Sequence, residues 1–244
     1  MKLPASAVAA LLLVCSSGPV LAQSAAAAPD DGWSWEATIY MLGASLDGTT
    51  GVTPLTADID VSFDEILDNL EFGAMGRMRA ARGQWAFGLD VIYMGLGAST
   101  DQPPADIDVD ETAAELSVAF IYSERFESLV GVRYMRISTD IQFQGPLGTQ
   151  RSGNVDWWDP FIGGRTTLPL GESWKFKLRA DVGGFGIGSD LAWQVETLFT
   201  RDFSPRASFE IGYRWIDVDY QDDDNGFIFD VMTQGPQAGV TFSF

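Results

Sequence analysis

The sequence predicts an all-β protein, a transmembrane antiparallel up-and-down β-barrel of ten strands. Three observations lead to this prediction. The chain ends on a strand in which Ala238, Val240, Phe242 and Phe244 alternate with small or polar residues. Further segments of this kind follow one another between turn residues, and tryptophans lie near their ends. A period of two is typical of strands with one apolar face, and a membrane barrel turns that face toward lipid.

The predicted strands are separated by connections that are mostly short and long in turn. This alternation is typical of a barrel with one rim toward the periplasm and the other toward the cell exterior. Eight strands with two hairpins outside the barrel are the structural alternative. The short connections are 82–83, 124–128, 169–172 and 203–206, the long ones are 46–69, 98–110, 143–154 and 220–226, and 187–190 is a short exception. The strands are 33–45, 70–81, 84–97, 111–123, 129–142, 155–168, 173–186, 191–202, 207–219 and 227–244.

The first 22 residues read as an export signal. Lys2 supplies a positive charge, and the apolar run from Ala5 to Val14 is too short to span a membrane. Residues 23–32 are then expected to be a periplasmic leader, and 33–244 to form the barrel. The one cysteine, Cys15, lies inside the signal, so we expect no disulfide in the mature chain.

The strands carry charged residues on the face opposite the apolar one. In a narrow barrel this face lines the lumen, and an unpaired buried charge costs about several kcal/mol, so we expect these groups to pair and fill the lumen. The basic members are expected toward the periplasmic end and the acidic ones toward the outer end, giving any lumen an acidic entrance and a basic exit. The predicted lumen charge network comprises Arg77, Arg79, Asp90, Glu115, Arg133, Asp159, Arg165, Lys175, Lys177, Arg179, Asp181, Glu196, Glu210 and Arg214.

All eight tryptophans lie near predicted strand ends, with Trp157 among those at the outer end. Indole rings are amphipathic and collect at membrane interfaces, so two aromatic girdles are typical of a spanning barrel. The predicted membrane-interface aromatics are Trp33, Trp35, Trp85, Trp158, Trp174, Trp193, Trp215 and Phe244.

One helix is predicted within the first long connection. Ser62 and Glu65 have the spacing of a capping box, and Phe63, Ile66 and Leu67 begin an apolar stripe. This helix would restrict the barrel mouth or bind a partner. The alternative is a short packed turn that orders the loop.

Several stretches resemble a family of uncharacterised proteobacterial outer-membrane barrel proteins, which are small and porin-like or surface-antigen-like. They are the run from Asp58 to Leu70, the turn Arg82-Gly83-Gln84-Trp85, the run from Asp159 to Arg165, and Gly212-Tyr213-Arg214-Trp215. The expected partners are the lipid bilayer with lipopolysaccharide and, through the C-terminal strand, the barrel assembly machinery. The resemblance implies a barrel fold and a place in the bacterial outer membrane. It implies no ligand, reaction or oligomeric state.

Acidic residues dominate the predicted outer connections, and the formal net charge is −19. This sign argues against nucleic-acid binding. Asp106, Asp108 and Asp110 alternate like ligands of a calcium loop, but Glu111 occupies the position of the glycine that an EF-hand needs. A cation site bridging to lipopolysaccharide is therefore a weak expectation, and a solvated acidic rim is the alternative.

Histidine is absent, which argues against enzymes that move a proton with an imidazole near neutral pH. We expect neither an enzyme nor a cofactor. The leading hypothesis is a barrel whose lumen is a narrow pore or a closed plug. The second is a surface-binding protein that uses its acidic loops to hold metal-bridged lipopolysaccharide or a protein partner.

Overall fold

The computed structural model describes residues 32–101, 104–143, 150–222 and 225–244. The predicted export signal and all of the predicted leader except Gly32 lie outside the described residues. The strands are β1 (Ser34–Leu42), β2 (Ser45–Val52), β3 (Leu55–Val61), β4 (Leu70–Arg82), β5 (Trp85–Asp101), β6 (Pro104–Ser123), β7 (Phe126–Phe143), β8 (Gln150–Leu170), β9 (Trp174–Gly184), β10 (Leu191–Ser204), β11 (Ala207–Asp222) and β12 (Phe227–Ser243), and the helix is α1 (Phe63–Asn69).

Ten strands close into an antiparallel barrel, as the sequence predicts. Strands β4 to β12 each pair with the next along the chain, and β1 pairs with both β4 and β12. The closing pair runs from Glu36 opposite Ser243 to Leu42 opposite Gln237. The eight-strand alternative is wrong. Only the β2–β3 hairpin lies outside the barrel, attached to the sheet through β12.

The first long connection is not the irregular loop that the sequence suggests. Strand β2 continues the line of β1 along β12, with a break at Gly43 and Ala44. At the break the Gly43 N–H donates a 2.8 Å hydrogen bond to the carbonyl of Pro236. Proline has no N–H to return a ladder bond, so regular pairing stops there. Strand β2 is rich in glycine and threonine, which hides it from an apolar pattern.

Two other long connections are also mostly strand. Strand β6 begins at Pro104 rather than 111, and β8 begins at Gln150 rather than 155. The added segment of β8, residues 150–154, is polar on both faces and has no alternation of hydropathy that would predict a strand. The added segment of β6 does alternate, with Ile107 and Val109 between aspartates, but its acidic residues resemble those of a surface loop.

The side-chain faces follow the predicted parity. On β5 Trp85 and Phe87 are exposed on the outer surface, whereas Ala86 and Asp90 are buried inside. No helix of the described residues is long and apolar enough to cross a membrane.

Candidate functional site: the barrel lumen

One charge network crosses the lumen between β1, β4, β5, β10 and β11. Arg77 contacts Asp90 at 3.4 Å and also makes an ion pair with Glu196. Arg214 lies 3.3 Å from the same Asp90 carboxylate. The Tyr40 hydroxyl donates to Asp90 at 2.6 Å and accepts from Arg214 at 3.1 Å. Two buried amides extend this network, because Gln194 accepts from Arg214 and Gln237 donates to Glu196.

A second network lies across β6, β7 and β9. Arg133 bonds Glu115 at 3.1 Å and Asp181 at 2.8 Å, and Arg179 bonds the same two carboxylates at 2.6 and 2.8 Å. Both guanidinium groups lie over the Phe161 ring, at 5.2 and 5.6 Å from its centroid. All four charged side chains are buried, so the two arginines and two acids neutralise one another inside the barrel.

Asp159 is buried, and none of the basic side chains that the structure describes makes an ion pair with it. It accepts hydrogen bonds from the Ser189 N–H at 2.6 Å, the Ser189 hydroxyl at 2.7 Å and the Trp157 indole at 3.1 Å. Ser189 belongs to the connection between β9 and β10. Asp159 therefore holds this outer loop against the barrel mouth.

An apolar layer lies above the charges. The Trp157 ring stacks on Tyr220 with centroids 4.1 Å apart, and Phe229 packs beside it at 5.8 Å. Trp157 is expected at the outer interface from its place in the sequence, but it is 4% exposed inside the barrel, whereas Trp158 is 53% exposed outside. Adjacent residues of a strand point to opposite faces, so only one of the two can meet lipid. The layer's buried members are Tyr40, Ile92, Met135, Trp157, Ala192, Ile216, Val218, Tyr220, Phe229 and Val231.

The periplasmic end holds an open vestibule of about 510 Å³. Arg79 and Arg165 share the carboxylate of Glu127 there, and Lys177 and Glu36 line the same cavity. Glu127 is absent from the predicted network because β7 was predicted to begin two residues after it. Glu127 and Arg133 are separated by an even number of positions on β7, so their side chains lie on the same face. This spacing indicates that Glu127 also points into the lumen.

The structure does not have the predicted acidic entrance. Asp90, Glu115 and Asp181 lie among arginines in the middle of the lumen, and apolar side chains occupy the outer part. Of the other predicted members, Lys175 pairs with Asp202 in an exposed contact at the rim, and Glu210 lies 3.9 Å from Arg77. A residue's position along its own strand does not give its height along the barrel axis. Strand tilt and stagger bring different positions of neighbouring strands to the same height.

The predicted interface aromatics lie on the outer surface. At the periplasmic end Trp33, Trp35, Trp85, Trp174 and Phe244 are exposed. Toward the outer end Trp158 packs on Tyr134, Trp215 packs on Tyr213, and the Trp193 indole donates to Asp217 at 2.7 Å.

In the part of the chain that the structure describes, Asp106, Asp108 and Asp110 do not form a three-ligand cation site. Asp106, Asp108 and Asp110 alternate on β6, and the Asp110 carboxylate accepts a 2.6 Å hydrogen bond from Tyr93. Within 32–101, 104–143, 150–222 and 225–244, no three acidic, histidine or cysteine side chains converge as metal ligands.

The predicted loop helix is present with its capping box. The Ser62 hydroxyl accepts from the Glu65 N–H at 3.3 Å, and the Glu65 carboxylate accepts from the Ser62 N–H at 2.8 Å. Ile66 is buried, whereas Phe63 and Leu67 are exposed. The helix packs against the upper barrel wall through Ile66, which lies in a cluster with Leu42, Ala44 and Met94.

The architecture is similar to that of solved outer-membrane proteins. No protein-family model and no curated protein sequence matches the chain. The outer-membrane protease OmpT of Escherichia coli is 11% identical with a TM-score of 0.51, over 91% of this chain and 100% of OmpT. Ail of Yersinia pestis, in complex with the heparin analogue sucrose octasulfate, is 11% identical with a TM-score of 0.44, over 88% of this chain and 100% of Ail. The toluene transporter TbuX of Ralstonia pickettii is 8% identical with a TM-score of 0.39, over 88% of this chain and 89% of TbuX.

The similarity to OmpT at 11% identity concerns the fold and carries no chemistry to this chain. The fold and the outer surface are both those expected of a membrane-spanning barrel. Apolar side chains cover the outside of the closed barrel, and charged side chains lie inside it. The chain therefore has the fold of the bacterial outer-membrane β-barrels, with an outer surface suited to a bilayer.

Proposed function

We propose that this protein is an integral outer-membrane barrel with a closed lumen, which supports the envelope and presents acidic hairpins at the cell surface. The observation that carries the proposal is the pair of buried networks built on Arg77, Arg133, Arg179 and Arg214. Each of these guanidinium groups bonds at least one carboxylate from another strand. An ion that entered this layer would have to displace those bonds.

The apolar layer above the charges strengthens this proposal over a narrow pore. The stack of Trp157, Tyr220 and Phe229 offers a passing ion few hydrogen-bonding groups. A hydrophobic constriction of this kind stops conduction by excluding water. The vestibule near Glu127 is then a blind cavity open to the periplasm.

The proposal includes no catalytic role and no cofactor. The chain has no histidine, and the buried carboxylates of Glu115, Asp181 and Asp159 are engaged with an arginine or a backbone donor. Its expected partners are the bilayer with lipopolysaccharide, and the barrel assembly machinery acting on β12.

Planar-bilayer conductance of the refolded protein tests the closed lumen. Folding is first verified by the heat-sensitive migration of the barrel on a denaturing gel. We expect no discrete conductance steps from the wild type, and none from the double variant Arg133→Ala with Arg179→Ala, because the apolar layer of Trp157, Tyr220 and Phe229 stays in place. Steps from the folded wild type, with an ion preference that changes in the double variant, would instead establish a pore.

The second candidate function is binding at the acidic surface. The register places Asp47 opposite Asp60 on the β2–β3 hairpin, and Asp108 opposite Asp140 on β6 and β7. Like charges directly opposite each other destabilise a strand pair, and a divalent cation held between them relieves the repulsion.

This candidate is tested with Asp60→Asn and Asp140→Asn, which remove one charge from each opposed pair and leave the barrel intact. Calorimetric titration with calcium, alone and with purified lipopolysaccharide, should show saturable heat that the double variant loses. Equal titrations of both proteins would contradict surface binding. Deleting residues 52–68 is a poorer test, because α1 packs into the barrel wall.

A further inference from the structure

The barrel wall has a seam between β1 and β4. These strands pair only from Ser34 opposite Ala81 to Ile39 opposite Gly76. Above that point β1 continues along β12, while β4 continues along β5 as far as Leu70. Above this point no backbone ladder joins the two strands, which leaves an opening in the hydrogen-bonded wall of the barrel.

The seam begins at membrane depth. Five residues of β1 separate Ser34 from Ile39, which at about 3.3 Å per residue and a tilt of about 40° is a height of roughly 13 Å. The apolar band of such a barrel is about 25 Å tall. Met41 and Phe72, which flank the seam on the outside, are 68% and 61% exposed. The opening therefore faces the outer half of the bilayer.

The seam is covered from within by α1 rather than by a strand. The Phe63 ring lies against Gly43 on one side, 3.3 Å from where a Cβ would stand. Ile66 is 4% exposed in the cluster that contains Leu42 on β1 and Met94 on β5. The helix thus bridges the two walls over the top of β4.

The contacts that close the seam are weak compared with a ladder of backbone bonds. The Leu42 N–H donates to the Met75 Sδ atom at 3.2 Å, and a thioether is a weak acceptor. The helix has seven residues and is held by one buried side chain, Ile66. Elements with few buried apolar contacts open at low free energy.

An apolar chamber lies directly behind this cover. It is lined by Leu42, Met75, Ile92, Met94 and Met135, and its floor is the charge layer. Methionine side chains are flexible and adapt to apolar guests of different shape. The chamber has only about 40 Å³ of space. Ile66 of α1 packs on Leu42 and Met94 of its lining, so movement of α1 would provide the room that a guest needs.

We propose that the seam is a lateral portal, through which small uncharged apolar molecules pass from the outer leaflet into a binding chamber behind α1. This inference goes beyond the closed lumen. The charge layer blocks onward passage along the axis, so a molecule that enters sideways is held and leaves by the same route. Glu111 lines the chamber and offers a hydrogen-bonding group to a guest that carries one donor.

Photolabelling in lipid nanodiscs tests the portal with an uncharged aryl diazirine that partitions into the bilayer. We expect label on the inward-facing Met75 and Met135 as well as on the lipid-facing Met41. The variant Ile66→Cys with Met94→Cys is designed to tether α1 when oxidised. Oxidation should lower the inward labelling at least fivefold, leave Met41 unchanged, and be reversed by a reductant.

A second pair of variants keeps the test valid if the disulfide does not form. Gly73 lies on the seam, and a Cβ there would meet nothing closer than 3.7 Å, so Gly73→Leu fills the opening without a clash. Gly76→Leu adds the same side chain to the lipid-facing side of the same strand, at the last pair below the seam, and serves as the control for added volume on β4. Only Gly73→Leu should reduce the inward labelling.

Three results would overturn the portal. The first is label confined to Met41 in the folded wild-type protein. The second is inward label that neither the tether nor Gly73→Leu reduces, which would mean entry through the outer mouth. The third is a stable dimer in nanodiscs that buries Phe72, which would mean that a second copy covers the seam. Because no outcome depends on ion conduction, failure of the portal is distinguishable from failure of the closed lumen.

Discussion

The hydroxyl of Tyr40 donates a 2.6 Å hydrogen bond to Asp90 and accepts one of 3.1 Å from Arg214. This phenol therefore joins β1 near the start of the barrel to β11 near its end. Asp90 also contacts Arg77, so one buried carboxylate has three partners from three other strands. This junction ties four strands of the barrel together through one buried carboxylate.

The variant Tyr40→Phe tests this junction. It removes one donor and one acceptor and leaves the charges of Asp90 and Arg214 in place, so we expect a loss of about 1–3 kcal/mol in the free energy of unfolding. Urea unfolding in lipid vesicles, followed by tryptophan fluorescence, measures it. Tyr213→Phe is the matched control, because Tyr213 lies on the outer face beside Trp215 and should change stability by less than about 0.5 kcal/mol. Equal effects of the two variants would contradict the role of the hydroxyl.

Removing one arginine from the second network should lower the free energy of unfolding by more than Tyr40→Phe does. Arg133→Met leaves Glu115 and Asp181 buried with Arg179 as their remaining partner, and losing one member of a buried ion pair costs about 3–5 kcal/mol. The same unfolding measurement applies. Lys175→Met removes a charge from a pair that is 45% and 48% exposed, and should cost no more than about 1 kcal/mol. A small loss in Arg133→Met would mean that the lumen is wet enough to solvate the acids.

Trp157 and Trp158 should respond differently to one substitution. Trp157→Phe keeps an aromatic ring beside Tyr220 but removes the indole donor to Asp159, so about 1–3 kcal/mol of stability should be lost. Trp158→Phe changes a ring on the lipid-facing surface and should cost less. Bromine-labelled lipids distinguish the two rings directly, since they should quench the fluorescence of Trp158 and spare Trp157. Quenching of both would place Trp157 outside the barrel.

The strands and their inner faces were predictable because period-two alternation follows directly from the pleat. Arg133 and Glu115 both belong to the predicted lumen set, and they are register partners on neighbouring strands. The pattern does not contain the stagger between strands, so it could not give the level at which two inward charges meet. The alternation correctly predicts that the acidic side chains point into the lumen. It does not give their height along the barrel axis, so the predicted height is wrong.

Other features escaped the sequence analysis for physical reasons. Strand β2 contains small and polar residues such as Gly48 and Thr49, which give it a weak apolar pattern. Strand β3 does alternate, with Ala57, Ile59 and Val61 on one face, but the acidic residues between them make the segment resemble an acidic loop.

The polar partners Gln194 and Gln237 carry no charge, so a search for charged residues passed over them. The seam begins where the pairing between β1 and β4 stops, at Ile39 opposite Gly76. The end of this pairing depends on both strands together, so the sequence pattern of one strand does not predict it.

The capping box of α1 predicts a pH-dependent loop. Hydrogen bonds from the Ser62 N–H and hydroxyl hold the pKa of Glu65 below its ordinary value of 4.5. A lowered pKa means that the cap stabilises the helix fully above pH 4.5 and that this stabilisation is lost as pH falls through the lower folded value. Amide hydrogen exchange of residues 62–66, corrected for intrinsic rates, should show protection at pH 6 that declines below pH 4. The variant Glu65→Gln retains an acceptor for the cap but cannot titrate, so its protection should be independent of pH. The same acid-induced loss in both proteins would show that another group controls the helix.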